Sequence, residues 1–347
     1  MITQVLKVET LSDEILLEPA ELLRRGELVA IPTETVYGLG ANALDGEACL
    51  NIFKAKGRPN DNPLIVHIAD PKDAEELAYT NELYYKLASK FMPGALTIIL
   101  PKKDKVPSEV TAGLDSVALR CPANKIANRL IRVAGIPIAA PSANTSGRPS
   151  PTRAEHVYED MNGKIPMIID GGECEVGVES TVIKITDDRI ILLRPGQITP
   201  EMLRLVCPSV EIAGAVLKEL SKDEKPLSPG MKYKHYAPKA ELYLVDDKYI
   251  DFVTFAREKQ KTESCAIMCY DEEAELLEQK NLLPVGKRSS VKTQTKKLFD
   301  LLRRADRLGV QAIYAHLPSD EEESLAIYNR MIRASAHRIL GGKNGKG

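Results

Sequence analysis

The chain has 347 residues, 44% hydrophobic and 28% charged, with a formal net charge of −2; that balance fits a globular protein with room for two domains. No apolar run approaches the roughly 18 residues a membrane helix needs, so a helical membrane protein is excluded. Residues 1–208 carry 23 Lys and Arg against 28 Asp and Glu, and residues 209–347 carry 24 against 21, so neither half has the basic excess of a protein that lives by gripping RNA phosphates.

In chain order, helices are expected at 12–25 and 45–55, flanking a strand in ELVAIP (27–32). Asp45 is placed to cap the second helix, which runs to Gly57. Strand LIVHI follows, then a helix over 72–91, strands ALTIIL and SVALR, a helix over 124–134, strand IPIAA, a helix over 152–161 and strand PMIID. TVIKITDDRIILLRPG reads as a hairpin around Asp187-Asp188. A two-residue turn there puts Thr181 opposite Arg194, with Ser180 beside it. Thr199-Pro200 opens a short helix with a cap and a first-turn proline. The expected class is α/β with a mixed sheet.

SKDEKPLSPGMKYKHYAPKAE (221–241) mixes charge, prolines and a glycine without apolar period, and reads as a linker. The expected domains are 1–208, a linker over 209–239, and 240–347. In the last, strands AELYLVD, SCAIMCY, NLLPVG and VQAIYAHL alternate with helices over 247–260, 271–281, 291–308 and 320–340, the pattern of a small parallel sheet. It lacks G-x-G-x-x-G, so no dinucleotide site is assigned. Six cysteines, at 49, 121, 174, 207, 265 and 269, form no C-x-x-C pair and are expected as reduced core thiols. The opening MITQVLKVETLSDE lacks a signal peptide's apolar core, so a cytoplasmic location is expected.

Candidate chemistry collects where strands of the first half end. AIPTETVYGLG places Thr33, Glu34 and Thr35 after a strand and before a glycine-punctuated turn. KAKGRPNDNP supplies Lys56, Arg58 and Asn62; LIVHI holds His67, an odd polar residue in an apolar run; SVALR runs from Ser116 to Arg120. AAPSANTSGRPSPT supplies Ser142, Asn144 and Ser150. Each stretch alone has an ordinary reading as a turn, a solvated cation or a core histidine. Together they gather cations, hydroxyls and amides at strand-end loops, where α/β ligands bind. G-x-S-x-G, H-E-x-x-H and Walker patterns are absent. Residue chemistry alone therefore reaches an enzyme that handles an anion or a nucleotide by electrostatic stabilisation.

The ordered set IPTETVYGLG, KGRP, PLIVHI, PSANTSG, STV and RPG resembles the threonylcarbamoyl-AMP synthase (YrdC) family over roughly residues 10–205. The linker and tail look like its longer, two-domain branch. The resemblance implies a twisted sheet around a large concave cavity, and the reaction of L-threonine, bicarbonate and ATP to L-threonylcarbamoyladenylate and pyrophosphate. The product would serve a separate transferase complex acting on adenosine 37 of tRNAs that read ANN codons. It implies catalytic roles for Lys56, Arg58, Ser142 and Asn144. ATP contacts would come from Arg58, Asn62, Ser116, Ser142, Asn144, Ser150, Arg194 and, from the linker acting as a lid, Tyr236. Threonine contacts would come from Thr35, His67, Arg120, Ser180 and the carbonyl region of Ala140. Mg2+ is expected to arrive on the ATP phosphates, with no side-chain ligands. A direct tRNA contact has little support in the charge balance. Three rivals remain: an RNA-binding factor; a carbamoyl-phosphate-using relative with acylphosphatase and zinc-finger modules, for the latter of which this chain has no cysteine pairs; and a family member whose tail is purely an interaction module.

Overall fold

The computed structural model of the chain describes residues 2–216 and 236–341. Two units emerge: Met1–Ser146 with Ser150–Lys232, and Gly147–Pro149 with Tyr233–Gly347. Of the expected linker, residues 217–235 lie outside the described residues.

The first unit is built on β1 (Gln4–Lys7), β2 (Val29–Ile31), β3 (Gly38–Asn42), β4 (Ile65–His67), β5 (Leu96–Pro101), β6 (Ser116–Arg120), β7 (Ile138–Ala139), β8 (Met167–Asp170), β9 (Thr181–Ile185), β10 (Ile190–Arg194) and β11 (Val210–Ile212). Across the mixed sheet they run β1-β8-β2-β3-β7-β4-β6-β5-β9-β10-β11. The helix Asp13–Arg24 carries Leu16, Ala20 and Leu23 at helical spacing. Together with Leu130 and Ile131 of the helix Lys125–Ala134, that stripe packs on Val29, Ile31, Ile138 and Ile169. Each such leucine or isoleucine contributes about 1.5–3 kcal/mol by leaving water. This packing fixes the strand ends on which the polar loops stand.

Capping decides where Lys56 lies. Asp45 accepts the Ala48 N–H at 3.1 Å and starts the helix Gly46–Lys56. Gly57 stops it at φ 62, a left-handed conformation that suits glycine. Lys56 is thus the last helical residue.

Several sequence expectations are corrected. Gly38–Asn42 is a strand, not a turn: Cβ atoms at Gly38 and Gly40 would lie 3.1 Å from the Ala140 methyl and 3.0 Å from the Val29 carbonyl, so glycine permits close strand approach. The expected 72–91 helix is two pieces. Asp70 caps a 3-10 turn over Pro71–Glu76, and Asn81 caps a new helix, Glu82–Phe91, by accepting the Tyr84 N–H at 2.9 Å. In the hairpin, Ile190 faces Ile185 and Leu192 faces Ile183 as expected, but a register shift then sets Arg194 opposite Val182 rather than Thr181.

The second unit contains β12 (Glu241–Val245), β13 (Cys265–Met268), β14 (Ala312–His316) and β15 (Ile339–Leu340) in the order β13-β14-β12-β15, every pair parallel. The helix Val291–Leu308 matches its expected span. The first helix starts later, at Phe252, because Asp251 provides the cap. Residues 271–281 hold only a 3-10 turn, Asp271–Leu276. NLLPVG makes one isolated bridge, Leu282 to Ile267, rather than a strand. The final helix is shortened to Leu325–Ala334, since Ala336 and His337 have positive φ and the chain returns as β15 beside β12. All six cysteines are free and buried.

Candidate active site

The first cluster is organised by Lys56, which is only 2% exposed. Its Nζ donates to the carbonyls of Ser142 at 2.5 Å and Asn144 at 2.7 Å, while the Ser146 N–H donates to the Lys56 carbonyl. The end of a helix and the PSANTSG loop are thereby locked together. Ser142 Oγ donates to Asn144 Oδ1 at 2.6 Å, and the Asn144 amide donates to the Thr145 carbonyl. A cavity of about 650 Å³ opens beside this junction, lined among others by Lys54, Lys56, Gly57, Thr145 and Lys164. Of the expected site residues, only Lys56 lines it.

Arg58 donates to the Asn62 carbonyl at 3.3 Å and lies over the Phe53 ring. The Asn62 side chain is fully buried, yet neither its oxygen nor its nitrogen has a hydrogen-bond partner among the described residues. An orphaned buried amide costs roughly 1–3 kcal/mol, so an incoming polar group, whether water or ligand, would complete the bonding of Asn62.

The second cluster sits at neighbouring strand ends. His67 of β4 pairs in register with Arg120 of β6, and Ala139 of β7 pairs with Val66 of β4. His67 Nδ1 lies 3.3 Å from the Ile138 carbonyl, which assigns the proton to Nδ1 and leaves Nε2 as an acceptor. Burial, reinforced by the Arg120 charge, pushes this imidazole down to about 3, so it is neutral. Arg120 Nε donates to the Gly94 carbonyl at 3.2 Å, and its Nη2 lies 2.8 Å from Glu34 Oε1. Thr35 shares a 2.8 Å hydroxyl contact with Thr33, and the Thr35 carbonyl accepts from Gly177.

A third group gathers just before β9. Arg194 donates from Nε to the Ser180 carbonyl and from Nη2 to Ser180 Oγ, at 3.0 and 3.2 Å. The hairpin's shifted register thus still joins arginine and serine. Ser180 Oγ also lies 2.7 Å from Thr97 Oγ1. Ser150 donates to Glu179 at 2.5 Å. Ser116 stands at the opposite end of β6 from Arg120, about 13 Å away by strand rise. Tyr236 belongs to the second unit, where its ring stacks on Phe299 at 5.1 Å.

The sequence motifs point to neither Thr97 nor Glu179, and they place Glu34 among the strand-end candidates without a role. Thr97 carried a usable signal: it is a lone polar residue in an apolar strand, the oddity that flagged His67. Glu34 offered only its place between two threonines.

Two family models match the chain. The Sua5–YciO–YrdC model, described as "Telomere recombination", covers residues 21–196. "Threonylcarbamoyl-AMP synthase, C-terminal domain" covers residues 198–336. The chain belongs to the threonylcarbamoyl-AMP synthase family. A threonylcarbamoyl-AMP synthase of Bacillus subtilis is 45% identical over 333 residues, covering 95% of each chain. That of Pyrococcus abyssi is 46% identical over 330 residues, covering 92% of this chain and 94% of its own. A crystal structure of P. abyssi Sua5 complexed with L-threonine superposes with a TM-score of 0.88 at 43% identity, over 97% of this chain and 99% of that one. Both the family and the fold class expected from the motifs are borne out.

Proposed function

We propose that this member of the synthase family makes L-threonylcarbamoyladenylate and pyrophosphate from L-threonine, bicarbonate and ATP. The observation that carries the reading is the Lys56 ammonium pinned to the Ser142–Asn144 loop, which sets a cation, a hydroxyl and an amide in one cluster. The threonine-bound Pyrococcus relative supports the amino-acid substrate.

The amine of threonine takes up CO2 to give a carbamate. A carbamate oxygen then attacks the α-phosphorus of ATP, and pyrophosphate leaves with the bonding electrons. Both partners are anions, so the site's task is to hold them together against repulsion. Arg120 would pair the threonine carboxylate, and the Nε2 of neutral His67 would accept a proton-bearing group of threonine. Thr35, Ser180 and the Ala140 carbonyl would complete that pocket. Lys56 and Arg58 would face phosphates and carbamate; Asn62, Ser116, Ser142, Asn144, Ser150 and Arg194 would contact the nucleotide. Tyr236 would cover it, as the end of a lid whose residues 217–235 lie outside the described ones.

Mg2+ would neutralise the departing diphosphate. The clustered donors are cations, hydroxyls and amides rather than a carboxylate cage, which fits an ion carried by the triphosphate. We further propose a cytoplasmic setting and a downstream transferase complex that passes the group to ANN-decoding tRNA. No helix among the described residues is long and apolar enough to cross a membrane.

The test is direct: incubate the protein with ATP, Mg2+, bicarbonate and threonine, and measure pyrophosphate. Threonine-dependent release is expected. No release, or release indifferent to threonine, overturns the reading.

A further inference from the structure

Glu34 is 7% exposed, and its carboxylate is held by one hydrogen bond and one charge contact that lacks hydrogen-bond alignment. Oε1 lies 2.8 Å from Arg120 Nη2, and Oε2 accepts the Asn124 N–H at 3.3 Å, at the start of the helix Lys125–Ala134. Burial works to raise this carboxyl's pKa, but the Arg120 guanidinium together with backbone N–H groups more than offsets it, so the group stays ionised. A buried ion pair adds little net stability, because desolvation cancels most of the attraction. Stability alone therefore does not account for an anion beside Arg120.

The geometry of the guanidinium supplies another reason. Nε is taken by the Gly94 carbonyl, while Nη2 lies beside Glu34 as an ion pair without an aligned hydrogen bond. The planar fork is thus anchored at Nε, and its Nη2 end, drawn towards Glu34 by charge, still lacks an aligned acceptor. A carboxylate arriving at that end would meet a preset donor rather than a flexible cation. Glu34 cannot itself serve a carboxylate, since two anions repel.

We propose that Glu34 is a positioning residue for threonine binding: it presets the Arg120 guanidinium that receives the amino-acid carboxylate. This rests on the assignment of Arg120 to the threonine pocket. The preset fork lowers the ordering cost of binding and acts on threonine, not on ATP.

The test uses the full chain. Threonine affinity is measured by calorimetry without ATP, and KM values for threonine and ATP are measured separately in turnover. In Glu34→Ala, threonine affinity should fall about tenfold or more, with the ATP KM unchanged within about twofold and kcat at saturating threonine within about threefold. Glu34→Gln keeps the shape and one acceptor oxygen; it should fall between wild type and alanine, and it decides the matter if the alanine variant does not fold. Unchanged or tighter threonine binding in a folded variant overturns the proposal, as does an equal rise in the ATP KM. Arg120→Ala separates the two levels. If it leaves threonine affinity intact, the pocket assignment fails; if it weakens threonine while Glu34 variants do not, only the positioning role fails.

Discussion

Two buried histidines show how the two units differ. His67 of the first unit makes one carbonyl contact beside a cation, and burial keeps it neutral. His316 of the second unit has both nitrogens bonded to carboxylates, Nδ1 to Asp247 and Nε2 to Glu273, each at 2.8 Å. Arg288 closes that network onto the same two acids, and the rings of Phe252 and Tyr270 stack on the imidazole. Burial opposes its charge, but the two carboxylates outweigh burial and raise its pKa. Both histidines lie at the carboxyl end of a strand, where α/β proteins place ligands. In the second unit the residues there satisfy one another. In the first, orphaned amide atoms remain at Asn62. Unmet bonding capacity separates a site from a structural plug better than polarity or position does.

The sharpest way to break that contrast is at Lys56. Lys56→Ala should cut threonine-dependent pyrophosphate release by about 10³-fold, the scale of a lost charge-stabilising group. Retained far-ultraviolet dichroism would confirm that the loss is chemical, whereas near-normal turnover would remove Lys56 from the site.

Next comes His316→Ala, which strips the shared partner from buried Glu273 and from exposed Asp247. It should destabilise the second unit by about 1–2 kcal/mol, chiefly through Glu273, read as faster hydrogen exchange around Asp247 and Glu273 with protection near Lys56 retained. Unchanged exchange would show that the network is idle.

Asn62→Leu should do the reverse. Removing an orphaned amide should leave the melting temperature unchanged or higher, while the ATP KM rises about tenfold. A drop in melting temperature with normal ATP kinetics would mark Asn62 as structural.

The smallest effects are in pH. His316, with a raised pKa, contributes stability in full below about pH 6.5, its ordinary value, and loses it as pH rises through the folded value. Asp247 and Glu273 are lowered, so their share is present above about pH 4 and is lost on acidification. His67 is lowered to about 3, so its contribution is present above about pH 6.5 and declines towards 3. Hydrogen exchange against pH should therefore show the second unit loosening at both alkaline and acid pH, and the first unit loosening on acidification. His316→Gln should flatten the alkaline limb.

Most strands were legible because apolar runs bounded by turn residues carry their own signal: SVALR, TVIKI and IILLR match β6, β9 and β10 end to end. The misses share a cause. Gly38–Asn42 looks like a turn because glycine usually marks one, and only the crowding of Ala140 and Val29 explains it as a strand. Residues 72–91 carry an apolar helical pattern, yet the Asp70 and Asn81 caps, which are local, cut it in two. Ile339 and Leu340 leave a helical pattern because β12 offers unpaired backbone. The shift before Arg194 has no sequence mark at all.

By itself the sequence determined which chemical groups are present, the order of the strand-end motifs and the family they resemble, because those are properties of neighbouring residues. Tertiary structure alone decided which groups meet. Lys56 and Ser142 are 86 residues apart, and Thr97 and Ser180 are 83 apart. Sheet order, not spacing, sets Glu34 against Arg120 and leaves the Asn62 amide without a partner. A hydrogen bond reaches about 3 Å, so whether a polar residue is satisfied depends on what the fold brings that close.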